Sequence, residues 1–355
     1  MFTTNKIEGK MNMKKIIMIL ILLPLLNLQA ADESGRVFSA SNAKDFTKVG
    51  ADGGQFLKIG VGARGTGMAG AFSALTNDLT ALHYNPAGII EQEGVTTNFS
   101  YTSWFGGFSH NFAAVAFPIS SQYRLAISMV NFSTGDIEET TLLQDQGTGR
   151  NYSVDDVSMQ MTFAGKLTDQ FSFGVTAKYV QLAFADVSSG GLAIDVGTHY
   201  DTGIEGIKFG FSVHNLGTDH AYSGTGLADR NKVNDYIQSL PKDLEYTAYK
   251  FSLPLMFRVG FGKEIYSDEM NQLDAAFDFV ASSDSPEQYV VGFEYSWSDL
   301  VFVRGGYLLG HDQLGLAGGV GLNYNSGGFN GALDYSINPT ADIGLINRFT
   351  VGLDF

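Results

Sequence analysis

Residues 157–167 read Val157-Ser158-Met159-Gln160-Met161-Thr162-Phe163-Ala164-Gly165-Lys166-Leu167. Val157, Met159, Met161, Phe163, Gly165 and Leu167 fall on one side, and Ser158, Gln160, Thr162, Ala164 and Lys166 on the other. Successive side chains of a strand point to opposite faces, so this alternation describes a strand with one apolar and one polar face. The run is also long. Strands of soluble sandwiches average about five or six residues, whereas a tilted strand that crosses hydrocarbon needs about 9–11.

The same split recurs along the chain. Phe171, Phe173, Val175, Ala177 and Tyr179 oppose Ser172, Gly174, Thr176 and Lys178. Ile207, Phe209, Phe211 and Val213 oppose Lys208, Gly210, Ser212 and His214. Phe251, Leu253, Leu255, Phe257, Val259 and Phe261 oppose Ser252, Pro254, Met256, Arg258, Gly260 and Gly262, and Phe349, Val351, Leu353 and Phe355 oppose Arg348, Thr350, Gly352 and Asp354. An apolar exterior and a polar lumen demand this pattern, which predicts an all-β fold, a transmembrane antiparallel barrel.

The strands are predicted at 95–105, 108–118, 123–133, 152–167, 170–183, 190–200, 206–216, 251–263, 271–281, 287–297, 299–309, 313–324, 328–337 and 345–355. That is about 14, an even number as single-chain bacterial barrels require. Alternate connections are brief: Ile119–Gln122, Thr168–Gln170, Asp201–Glu205, Glu264–Met270, Ser298 and Asn325–Gly327. They are assigned to the periplasmic side, and the two long connections, Thr134–Asn151 and Gly217–Lys250, then both fall outside. Tyr101, Trp104, Phe105, Tyr289, Tyr295, Trp297 and Tyr307 read as aromatic girdles at the membrane interfaces.

Composition agrees. The 355 residues include 43 glycines, 27 Phe, 16 Tyr and 2 Trp, only 17% are charged, and none is cysteine. Scarce charge with many aromatics argues against disorder and against coiled coil, and the lack of cysteine excludes disulfide scaffolds, zinc–thiolate sites and thiol catalysis. Lys14-Lys15, the apolar run Ile16–Leu26 and small Ala30-Ala31 form a secretory signal, expected at 1–30. The formal charge of −15 becomes more negative without that segment, so nucleic acid is not an expected partner. Residues 31–52 are expected as a periplasmic segment, 53–94 as a hatch or plug inside the lumen, and 95–355 as the outer-membrane barrel.

Residues 53–94 do not alternate. Gly65-Thr66-Gly67-Met68-Ala69-Gly70 has the string of a dinucleotide fingerprint, but no βαβ context surrounds it. Small residues there allow close backbone approach, with short helices expected around Ala71–Leu75 and Leu79–Tyr84, the second stopped by Asn85-Pro86. The run from Phe56 through Gly67-Met68-Ala69-Gly70-Ala71-Phe72, then Asn77-Asp78 and His83-Tyr84-Asn85-Pro86-Ala87-Gly88, resembles the amino-terminal signature of the PorV/PorQ family, related to FadL-type fatty-acid transporters. One glycine of the family core is Ala69 here. The resemblance implies a fourteen-stranded barrel with an amino-terminal plug. It also implies a non-enzymatic role: an accessory of type IX protein secretion engaging cargo or machinery, or alternatively a transporter of hydrophobic small molecules. Gly65, Gly67, Gly70, Asn77, Asp78, Asn85, Pro86, Ala87 and Gly88 are the hatch residues expected to matter.

Chemistry is sparse. His83, His110, His199, His214, His220 and His311 show no metal-ligand spacing, and no Gly-x-Ser-x-Gly elbow is present, so neither metal, cofactor nor catalytic residue is expected. Asp136, Glu138, Glu139 and Asp145 lack an EF-hand pattern and read as a solvated or lipopolysaccharide-facing loop. Lys178, Lys208, Arg258, Glu294 and Arg304 are expected in the lumen, bonding the hatch or lining a path. Phe355 after its alternating run fits the terminal signal read by the barrel-assembly machinery. Outer-membrane lipid and lipopolysaccharide are the remaining expected partners.

Overall fold

The computed structural model describes residues 50–231, 242–326 and 329–355. The expected signal segment and most of the 31–52 segment lie outside these residues. Fourteen long strands form one closed antiparallel barrel. They are β1 (Thr96–Ser103), β2 (Ser109–Pro118), β3 (Tyr123–Ser133), β4 (Asp155–Lys166), β5 (Phe171–Phe184), β6 (Val187–Asp201), β7 (Ile207–Gly217), β8 (Met256–Ser267), β9 (Asn271–Ser282), β10 (Ser285–Trp297), β11 (Val301–Leu309), β12 (Leu316–Ser326), β13 (Phe329–Pro339) and β14 (Leu345–Asp354). Each pairs with its neighbours in sequence, and β14 returns to β1 from Thr96↔Asp354 to Ser103↔Asn347. Two short hairpins, Ile137–Glu138 with Asn151–Tyr152 and Ala228–Asn231 with Lys242–Glu245, sit in the long connections.

Faces follow the alternation. Met159, Met161, Val175, Tyr179, Phe209, Phe211, Phe257, Phe261, Phe349 and Val351 are exposed, whereas Ser158, Thr162, Ser172, Thr176, Ser212, Arg258 and Thr350 are buried. Exposed apolar side chains so numerous and contiguous mark a surface made for lipid. Tyr101, Tyr289, Tyr295, Trp297 and Tyr307 lie on that face, whereas Phe105 is exposed in the 3-10 turn Phe105–Gly107 between β1 and β2, at the mouth of the barrel. Trp104 departs from the girdle: it is half-buried, and the Arg348 guanidinium sits 5.8 Å from its ring.

One strand starts later than its periodicity suggests. The β8 ladder begins at Met256, and Leu253 is packed in an interior apolar cluster with Phe56, Leu57 and Leu182. Pro254 lacks the amide that a ladder requires, so the alternation through Phe251 and Leu253 has no strand beneath it. At its other end β8 runs on to Ser267, and only Asp268–Met270 separate it from β9.

The turn joining β10 to β11 carries Ser298 and Asp299, both at φ 52. Two left-handed residues in succession give the twist that joins neighbouring antiparallel strands tightly. Between β6 and β7 the register shifts so that His214 and Asn215 oppose Asp195, with Asn215 at φ 62. The extra residue turns both side chains and the Asp195 carboxylate into the lumen together. All connections at this turn rim are brief, whereas those spanning 134–154 and 218–255 both emerge at the opposite rim.

Candidate functional site: a hatch between two chambers

The segment from Gly54 to Gln92 folds into 3-10 turns and two short helices, α1 (Ala63–Gly67) and α2 (Ala81–Tyr84). Gly62 at φ 77 and Gly70 at φ 97 bracket α1 with conformations that suit glycine, so the chain reverses on both sides of it. The helix expected at Ala71–Leu75 does not form. Ser73 is instead drawn to the wall, where its amide and hydroxyl both donate to Asp278. The second helix forms close to expectation and stops at Asn85, whose extended backbone (φ −159, ψ 106) is what a following proline requires.

Asn85 is fully buried and uses its amide three ways: Nδ2 donates to Ser73 O and Thr198 O, each at 3.0 Å, and Oδ1 accepts from the Ala87 amide at 3.2 Å. It ties two hatch segments and strand β6 into one knot. Nearby, Ser212 Oγ donates to Tyr84 O at 2.8 Å, His214 Nε2 lies 3.1 Å from the same carbonyl, and His199 Nε2 lies 3.0 Å from Ala74 O. His214 Nδ1 is 3.0 Å from Asp195 Oδ2, and Lys178 Nζ is 2.6 Å from the same oxygen. Ser212, His214 and Asp195 thus reproduce the order of a nucleophile–base–carboxylate relay. All three are at most 1% exposed and the serine is spent on the Tyr84 carbonyl, so the set serves as a dock for the hatch.

Glycines on the inner wall are the footprint of the hatch. A Cβ at Gly174 would stand 2.4 Å from the Pro86 carbonyl carbon, one at Gly210 2.1 Å from Ser73 O, and one at Gly306 2.4 Å from the Met68 carbonyl carbon. Gly67 of the hatch in turn approaches Gly319, its Cβ direction ending 3.2 Å from that Cα. Any side chain at these places would push the hatch away from the wall.

Helix α1 is pinned on two sides. Below, Arg64 donates in fork fashion to Glu294 (Nε–Oε2 2.8 Å, Nη2–Oε1 2.6 Å), bonds Asn77 Oδ1, and lies 3.4 Å from Asp78 Oδ2. Glu294 also receives Arg304, which reaches on to Asp334. Above, Arg348 donates to Gly60 O (3.2 Å) and to Asn338 Oδ1, Asn338 Nδ2 donates to Thr66 O (3.0 Å), and Thr66 Oγ1 lies 2.9 Å from Ser336 Oγ. Lys58 and Gln55 grip Asp284, in the β9–β10 turn, at 2.9 and 2.6 Å. Burial opposes the charge on Asp284, but hydrogen bonds from Gln55, Lys58 and Ser282 with the Lys58 charge outweigh it and hold the carboxyl below its usual range.

This pinned segment divides two kinds of space. Toward the long-loop rim lies a cavity of about 180 Å³ lined by Ala69, Met256, Val280, Val290, Leu308 and Leu314 with Lys58, Arg258, Arg348 and His311. It shares Lys58, Gly60, His311, Leu314 and Arg348 with a wider vestibule of about 510 Å³, to which Phe56, Ile59, Trp104, Phe132, Ile343 and Ile346 contribute. Toward the turn rim lies a polar chamber of about 360 Å³ with Arg64, Asp78, Asp274, Glu294, Arg304 and Asp334 in its walls. Gly60 and Thr66 face the first space, and Arg64 faces the second.

Of the lumen residues expected from sequence, Lys178, Arg258, Glu294 and Arg304 are buried inward, and Lys208 is half-buried beside Glu91, Lys166 and Asp201 at the turn rim. Gly65 packs under the Tyr84 ring and Gly88 against Thr76. Asp78 caps the Thr80 amide at 2.8 Å. Phe355 is exposed and exchanges backbone hydrogen bonds with Val95 at 2.9 and 3.1 Å. Sequence reasoning missed Arg348, Asn338 and Asp284; the first two share the inward parity of their strands, and Asp284 carries no periodic signal. Among the described residues no group of three or more His, Asp or Glu side chains is placed to hold a metal ion.

No family model and no curated protein matches the chain. Solved structures do. A CymD monoaromatic hydrocarbon channel superposes with TM-score 0.58 at 12% identity, covering 84% of this chain and 98% of that one. The toluene transporters TodX of Pseudomonas putida (TM-score 0.55, 12% identity, 83% and 97% covered) and TbuX of Ralstonia pickettii (0.51, 11%, 83% and 97%) are similar. At such identities the likeness is one of fold: a closed fourteen-stranded barrel of the FadL type.

Proposed function

We propose that this chain is an outer-membrane conduit for hydrophobic small molecules. The observation that carries the reading is the partition of the lumen by α1 and its flanking glycines into an apolar vestibule open toward the long-loop rim and a polar chamber below. An apolar solute gains by leaving water for the vestibule, and the polar chamber offers it no comparable hold, so displacement of α1 lets it pass toward the periplasm. The fold shared with hydrocarbon channels supports this reading. The chain has no cysteine, so Thr66→Cys with Ser336→Cys, whose hydroxyls now lie 2.9 Å apart, makes a lock specific to α1. In a deletion strain, uptake of a monoaromatic hydrocarbon should be restored by the native chain and by the reduced double variant but not by the oxidised one. Uptake indifferent to the deletion or to the lock sinks the proposal.

A second reading, an accessory of type IX secretion, is favoured by one surface feature. Leu142 and Leu143 stand fully exposed at the tip of a turn closed by Thr141 and Gln144, on a loop bearing Asp136, Glu138, Glu139 and Asp145. Solvent exposure of adjacent leucines on an ordered loop suits contact with a protein partner. Substitution of both by serine should then abolish co-purification with secretion components while leaving hydrocarbon uptake intact; equal recovery would remove this reading.

A further inference from the structure

Arg258 stands apart from the other lumen cations. Its side chain points inward from β8 and is 7% exposed, its guanidinium lies 5.3 Å from the centre of the Tyr84 ring, and Nε has no hydrogen-bond partner. The other positive groups of the same cavity are engaged: Lys58 pairs with Asp284 at 2.9 Å, and Arg348 donates to Gly60 and Asn338. No aspartate or glutamate lines the cavity, in a chain that carries 37 of them. Asp278 on β9, whose partner Gly260 is two residues beyond Arg258, is the carboxylate that would answer Arg258 most directly. It is bonded through Oδ2 to both donors of Ser73 and forms no ion pair with Arg258.

Burying a guanidinium outside any direct ion pair is costly, and such a cost is tolerated where a ligand supplies a paired charge. Met256, Val280, Val290, Leu308 and Leu314 form the apolar part of the wall, and Ser282, Ser285, Gln288 and Asn338 its uncharged polar part. The volume, about 180 Å³, is limited, given that a cavity of about 150 Å³ accommodates benzene. We propose that this cavity is a binding site for a compact organic acid, one ring or a short chain bearing a single carboxylate, with Arg258 as the residue that recognises the carboxylate. The inference rests on the conduit reading and narrows its cargo: the planar fork of arginine matches a carboxylate in a way that a neutral hydrocarbon cannot exploit.

The test uses the full chain in lipid nanodiscs with Trp297→Phe, which leaves Trp104 beside the vestibule as the reporter. Benzoate, toluene, decanoate and inorganic phosphate are titrated in turn. Benzoate should quench Trp104 saturably and more tightly than the other three. Arg258→Gln should weaken benzoate at least tenfold and leave toluene unchanged, and Arg258→Lys should recover part of the loss. Folding of each variant is checked by its β-sheet circular dichroism and thermal midpoint. Toluene binding as tightly as benzoate with no dependence on Arg258 overturns this proposal and keeps the conduit. Phosphate binding as well as benzoate, or decanoate binding better, overturns the compact organic acid. Failure of every probe to bind removes the conduit as well.

Discussion

Arg64 offers the most direct measure of how firmly the hatch is closed. Replacing it with methionine keeps much of the stem volume and removes both fork hydrogen bonds to Glu294 together with those to Asn77 and Asp78. Removing one partner of a buried ion pair costs about 3–5 kcal/mol when the other charge is stranded. Glu294 is not stranded here, because Arg304 still holds it. Asp334 shares that arginine, and the chamber beneath is polar, so the loss to docking of α1 is about 2–4 kcal/mol. At about 1.4 kcal/mol per factor of ten, the open population of the hatch should rise roughly 30-fold to 1,000-fold. A single cysteine at Ala81, now fully buried in the hatch, reports this without background because the chain has no other. When closing outpaces modification, the maleimide labelling rate follows the opening equilibrium. The rate should therefore rise by that factor in Arg64→Met while the barrel's thermal midpoint moves little. A rate within threefold of the parent would refute the reasoning, since Arg64 would then contribute nothing to closure.

Further outcomes follow from the same contacts. Asn85→Ala strands the carbonyls of Ser73 and Thr198, a loss of about 2–4 kcal/mol from hatch docking, visible as faster labelling at position 81 than in the parent. Gly306→Val drives a side chain into the Met68 carbonyl and should expel α1 from the wall while far-ultraviolet circular dichroism stays that of an intact barrel. Asp284 has a folded-state pKa below its unfolded value, so its grip on Lys58 and Gln55 is complete above about pH 4 and is lost as pH falls through the depressed folded value. Protection of a cysteine placed at Leu57 should weaken over that acid range, and Asp284→Asn should remove the pH dependence.

The wall was legible in the sequence and the hatch's seating was not. Period two survives in single sequences because every lipid-facing position of β4, β5 and β7 obeys the same solvent, so strand number and faces could be counted from residues such as Met159 and Phe211. It misled only where tertiary contacts took over. Phe251 and Leu253 alternate as a strand would, yet Leu253 packs against the hatch, and Trp104 turns from lipid to meet Arg348. The hatch depends on contacts between distant residues, such as Asn85 with Thr198 and Ser73 with Asp278, for which no local periodicity exists. Its helix formed at Ala63–Gly67, not at Ala71–Leu75, because the left-handed turn at Gly70 sends the chain to the wall before a second helix can start. Wall glycines such as Gly174, Gly210 and Gly306 were visible as letters, and only the folded chain shows that each records the backbone it makes room for.

The seam between β1 and β14 fixes the order in which this molecule can be assembled. Thr96 pairs with Asp354 and Ser103 with Asn347, so the two strands that shut the cylinder are about as far apart in the chain as any two strands can be. Neighbouring hairpins can zip as soon as two strands exist, but the last ladder has to wait for all the others. Until then the edges of β1 and β14 expose unpaired amides and carbonyls that would join any other strand offered to them. The hatch precedes β1 in the chain and touches β3 through β14. It is therefore present before its cavity exists, and the wall closes around it: a cylinder cast on its own core, which the finished seam then prevents from leaving by the side.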